Sequence, residues 1–105
     1  MNLVVNKNQL EISPEQFIKR AGYGQIYDRQ TGQYSYARRF SHDFYPRFHL
    51  YIKEKGDKVI FSLHLDQKRP GYAGQHWHNA EYDGPLVEEE ISRLKSLLLP
   101  DFLNI

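Results

Sequence analysis

The chain contains no cysteine among its 105 residues. That absence excludes disulfide bonds, a thiolate nucleophile and any zinc site built on cysteine, so a bound metal would have to be held by histidine, aspartate or glutamate. Long apolar runs are missing as well. Leu3, Val4 and Val5 are followed at once by Asn6 and Lys7, too short a run for the core of a signal peptide, and no stretch approaches the roughly 20 apolar residues that cross a bilayer. A cytoplasmic protein with no membrane association is the expectation. There is no internal repeat and no low-complexity segment. Hydrophobic content of 40% and charged content of 26% are those of an ordinary globular protein. The length suits one domain over residues 1–105, burying roughly two-thirds of its unfolded surface.

Charge of either sign is nearly balanced at +1, but it is segregated. Eleven basic and five acidic residues lie from Lys19 to Arg69, whereas two basic and six acidic residues lie from Glu81 onward. Such asymmetry can mark an anion-binding surface, and it can equally reflect two solvated faces of a small fold.

Helix signals stand at both ends of the chain. Ser13-Pro14-Glu15-Gln16 supplies an N-cap, a proline at the first helical position and a glutamine able to close a capping box. The pattern predicts a short helix from Pro14 to about Ala21, with Phe17, Ile18 and Ala21 as its apolar stripe and Gly22 and Gly24 as its stop. Leu3 to Val5 and Leu10 to Ile12 read as short flanking strands. A second helix is predicted from Pro85 to about Leu98, where Val87, Ile91, Leu94 and Leu98 recur at helical spacing. Gly84 would cap it, Glu88, Glu89 and Glu90 would face the positive end of its dipole, and Pro100 would block its continuation.

Between the helices, β-branched and aromatic residues come in short runs broken at Thr31-Gly32, around Pro46 and at Lys55-Gly56. The fold class this implies is α+β, an antiparallel meander of three to five strands packed against the C-terminal helix, with a short N-terminal helix. Its best-defined part is Arg47 to Glu54 followed by Asp57 to Leu65. A two-residue turn at Lys55-Gly56 would pair Ile52 with Val59, Leu50 with Phe61 and Phe48 with Leu63 on one apolar face. The opposite face would then carry Arg47, His49, Tyr51, Ser62 and His64, with Arg47 across from His64 and the two imidazoles diagonal to each other.

The stretch from Asp66 to Asp83 is the longest without periodicity, and long loops in compact domains are often functional. His64 and Asp66, His76 and His78, and Glu81 form a candidate ligand set for a divalent metal, zinc or manganese, because neutral imidazole and carboxylate oxygen suit those ions. Without a metal, His64 and His78 could act as acid and base, with Asp66 or Glu81 orienting a ring. Lys68 and Arg69 could hold a small anion such as a phosphoester, beside Tyr72 and Tyr82 and the sheet residues Arg47, His49 and Tyr51. The blander reading is a solvated sheet face with Trp77 anchoring the loop on the core. No serine or threonine stands in a recognisable nucleophile motif.

His76-Trp77-His78 resembles the histidine, hydrophobic residue, histidine signature of rolling-circle nucleases, whose tyrosine nucleophile on a helix has no counterpart between Pro85 and Leu98. His76 to Glu81 is similar to the first metal motif of cupins, with a shorter gap before the glutamate. Neither resemblance extends beyond this segment, and no fold or activity is carried over from it.

Two further classes remain open on the sequence. Tyr34, Tyr36, Arg38, Arg39, Tyr45, Arg47, Tyr51, Lys53 and Lys55 interleave cations with rings, as in surfaces that stack single-stranded nucleic acid. The same tyrosines could instead bury their rings in the core, or form an interface with a protein partner.

Overall fold

The computed structural model describes residues 1–67, 80–81 and 83–98. Strand β1 (Asn2–Asn6) leads through a 3-10 turn (Lys7–Gln9) to helix α1 (Pro14–Arg20). Strands β2 (Gly24–Asp28), β3 (Gln33–Arg39), β4 (Arg47–Lys55) and β5 (Lys58–Asp66) follow as an antiparallel meander, then the two-residue β6 (Ala80–Glu81) and helix α2 (Pro85–Ser96). The sheet order is β1-β5-β4-β3-β2, with β6 also pairing β5. The chain is thus α+β, as the alternation of periodicities implies.

Both helices begin where their caps place them. The Gln16 amide donates to Ser13 Oγ at 3.1 Å and the Ser13 amide donates to Gln16 Oε1 at 3.2 Å, a reciprocal pair that satisfies two orphan donors of the first turn. Gly84 caps α2 with φ at 113°, a conformation side-chain-bearing residues rarely adopt, and Pro85 opens the helix. Leu10 to Ile12 does not form a strand. Asn6 and Gln9 cap the 3-10 turn, and the Lys7 amide donates to the Asp57 carbonyl at 2.8 Å, which docks this segment on the β4–β5 turn instead.

Strand alternation separates two faces. Leu3, Val5, Tyr36, Phe48, Leu50, Val59, Phe61, Leu63 and Leu65 share one face and are buried under α1 and α2. Phe17 of α1 meets Phe61 with ring centroids 5.8 Å apart, and Val87, Ile91 and Leu94 of α2 close the same core. Removing each such side chain from water is worth about 1.5–3 kcal/mol, and this single shared core holds the sheet and both helices together. Among the described residues both helices lie on that one face.

The β4–β5 register differs from the one read off the sequence by two residues. The turn is Gly56-Asp57, so that Lys55 pairs with Lys58, Ile52 with Phe61, Leu50 with Leu63 and Phe48 with Leu65. Gly56 has φ at 61°, and primed hairpin turns demand a positive φ at their first central position, which is where this register puts the glycine. A shift of two keeps every side chain on its face. It moves partners, however: Arg47 lies opposite Asp66 rather than His64, and His49 lies directly opposite His64 rather than diagonal to it.

Candidate functional site

Because side chains alternate, Ser35 of β3, Arg47, His49 and Tyr51 of β4, and His64 and Asp66 of β5 all emerge on the face away from the helices. His49 Nδ1 lies 3.0 Å from Asp66 Oδ2, and His64 Nε2 lies 2.8 Å from Asp66 Oδ1. Arg47 Nε donates to Asp66 Oδ2 at 3.3 Å. On its other side, His49 Nε2 meets Ser35 Oγ at 2.8 Å. Tyr51 flanks the pair, with ring centroids 4.8 Å from His49 and 6.0 Å from His64, and the two imidazoles are 4.9 Å apart.

The cluster is sheltered: the side chains of His49, His64, Asp66 and Arg47 are 13%, 11%, 15% and 17% exposed. Burial by itself would raise the Asp66 pKa, but hydrogen bonds from His49 and His64 and the field of the two rings outweigh it and hold the carboxyl well below the usual carboxylate range. An ionised carboxylate only accepts hydrogen bonds, so the ring nitrogens facing Asp66 are N–H donors in this arrangement. A donor on Nδ1 leaves the neutral His49 ring with its lone pair on Nε2, where the Ser35 hydroxyl can donate.

Three potential metal ligands thus converge. One ligand atom from each of His49, His64 and Asp66 can be chosen so that all lie within 4.8 Å of one another. Of the residues expected from sequence, the structure brings together His64, Asp66, Arg47, His49 and Tyr51. The backbone of Glu81 pairs with Leu65 in β6. His76, His78, Lys68, Arg69, Tyr72 and Tyr82 lie outside the described residues. The basic, aromatic set divides between two faces: Tyr36 is in the core and Arg38 reaches Glu90 beneath α2, whereas Arg47 and Tyr51 belong to the histidine face.

Sequence reasoning missed two participants. Ser35 carries no local motif, because its partner His49 lies on the neighbouring strand and only the β3–β4 register joins them. Glu90 is not a solvated member of an acidic run but 4% exposed, taking hydrogen bonds from the Tyr23 hydroxyl at 2.5 Å and from Arg93 Nε at 2.7 Å, with Arg38 at 3.5 Å. Its helical position relative to Val87, Ile91 and Leu94, on the inward side, was the available signal.

The chain matches no protein-family profile, no curated protein and no solved structure.

Proposed function

We propose that the protein binds a divalent metal, zinc by its donor set, through His49, His64 and Asp66. The observation that carries this reading is the convergence of two imidazole nitrogens and a carboxylate oxygen within 4.8 Å, from a directly paired His49 and His64 and from Asp66 two residues along the second strand. Two histidines and one carboxylate are a frequent protein ligand set for a zinc whose coordination is not completed by the protein. Ser35 fits the role of an outer partner: with the metal on Nδ1, His49 Nε2–H would donate to Ser35 Oγ and fix the ring. Arg47 supports the remaining capacity of the carboxylate. A metal on His49 Nδ1 and His64 Nε2 would take the positions of the two N–H protons that now face Asp66, and each neutral ring would keep its proton by carrying it on the other nitrogen.

Isothermal titration of EDTA-stripped protein with zinc tests this. The expected result is one ion per chain and an affinity at least about 100-fold weaker in His64→Ala and Asp66→Asn. Binding that is absent, or unchanged in both variants, rules the reading out.

A further inference from the structure

The same residues form a second arrangement when no metal is bound. Ser35 Oγ, His49 Nε2, His49 Nδ1 and Asp66 Oδ2 form one line of hydrogen bonds, at 2.8 Å and 3.0 Å. Since the carboxylate can only accept, Nδ1 carries a hydrogen, and in the neutral ring Nε2 then holds the lone pair to which the serine hydroxyl can donate. Hydroxyl, imidazole and carboxylate in this order allow the ring to take the hydroxyl proton as the oxygen attacks a carbonyl carbon, while the carboxylate holds the tautomer and stabilises the imidazolium that forms. Each member stands on a different strand, β3, β4 and β5, so the frame is fixed by sheet pairing rather than by a loop. Asp66 is itself held from two further sides, by His64 at 2.8 Å and Arg47 at 3.3 Å.

Access is present on one side. Ser35 and His49 border a cavity of about 400 Å³ whose wall also includes Ile26, Tyr27 and Tyr51, with Arg29 among its polar lining. That volume is at the small end of ligand cavities and suits a short ester better than a polymer.

We propose that the metal-free protein is a serine esterase in which Ser35 is the nucleophile, His49 the base and acid, and Asp66 the group that orients His49, acting on small carboxylic esters. Ser35 Oγ bonds to the ester carbonyl carbon as its proton passes to His49 Nε2. The bond from that carbon to the alcohol oxygen then breaks, and the alcohol leaves with the proton from Nε2. Water adds to the acyl carbon in the same way, giving its proton to Nε2, and the acid departs as Ser35 recovers its proton. The net reaction consumes one ester and one water and yields one acid and one alcohol. The proposal goes beyond the metal reading and uses His49 in the opposite tautomer, so its test is run with EDTA present and its outcome is independent of whether zinc binds.

The full chain is incubated with a small alkyl fluorophosphonate, which forms an Oγ–P bond, loses fluoride and leaves the serine proton on His49. Intact mass should show one adduct per chain, and peptide mapping should place it on Ser35 in the unmodified sequence, whether or not any variant folds. Ser35→Ala should abolish labelling and His49→Ala should slow it at least about tenfold. p-Nitrophenyl acetate hydrolysis should fall in parallel in both variants. Absence of an adduct, an adduct mapped to a tyrosine, lysine or histidine, or labelling as fast in His49→Ala as in the parent overturns the proposal.

Discussion

Asp66 and Glu90 are sheltered carboxylates, one on each face of the sheet, and each is compensated in a different way. Asp66 accepts from two imidazoles and a guanidinium, whereas Glu90 accepts from a phenol and from Arg93, with Arg38 alongside. Tyr23 shows the consequence of the second arrangement: burial, the hydrogen bond to Glu90 and the Glu90 charge together push its hydroxyl well above its ordinary value of 10.0. A folded-state pKa raised in this way means that the stabilisation is fully present below the unfolded value and is lost as pH rises above about 10. Tyr23→Phe should therefore cost about 1–3 kcal/mol near neutrality, with Arg93 still holding Glu90, and the difference from the parent should shrink above that pH. Urea unfolding followed from pH 7 to 11 checks this, and parallel pH profiles for the two proteins would refute it. The residues of the histidine face were legible because strand alternation puts His49, Arg47 and Tyr51 on one side with His64. Ser35 was not legible, since a hydrogen bond between strands leaves no trace in local spacing.

At the scale of elements, the β4–β5 hairpin shows what a hydrophobic pattern can and cannot decide. Alternation of Phe48, Leu50 and Ile52 against Val59, Phe61 and Leu63 excludes a slip of one residue, which would exchange the faces. A slip of two preserves both faces, so only the turn chooses between registers, and the turn choice rests on where Gly56 with its φ of 61° must sit. That choice decides the site, because only the observed register puts His49 opposite His64 and Asp66 opposite Arg47. Nothing lies within 4 Å of a Cβ built at Gly56, so Gly56→Ala probes the backbone conformation alone. Its expected cost is roughly 1–2 kcal/mol, read as a lowered urea midpoint with an unchanged slope. No loss of stability in this variant would mean that the turn does not hold the left-handed conformation. The helices were easier to read: Ser13 and Gly84 are local signals, and their caps stand where the sequence puts them. The strand expected at Leu10 to Ile12 failed because the Asn6 and Gln9 cap and the Lys7–Asp57 backbone bond redirect the chain.

The molecule as a whole is a sheet with one face packed against both helices and the other carrying the His49, His64 and Asp66 cluster. Leu63 is 1% exposed beneath the helices, and its neighbours Ser62 and His64 emerge on the other side. Leu63→Ala should cost about 2–5 kcal/mol, a large share of the 5–15 kcal/mol typical of a domain this size, whereas Ser62→Ala should change stability by no more than about 0.5 kcal/mol. Equal losses at the two positions, measured by urea unfolding, would contradict this division of the sheet. Composition and periodicity carried this two-faced architecture, because burial of an alternating pattern has one solution. The candidate site as a whole left no signature in local spacing, because its members come from three strands and meet only through pairing.

The central claim is a divalent metal held by His49, His64 and Asp66, and anomalous diffraction at the zinc edge from crystals of zinc-loaded protein tests it most directly. The account predicts one strong peak about 2.0–2.2 Å from His49 Nδ1, His64 Nε2 and an Asp66 oxygen, with the Ser35 hydroxyl still on His49 Nε2. A peak held by other residues, or none at this cluster, would contradict it.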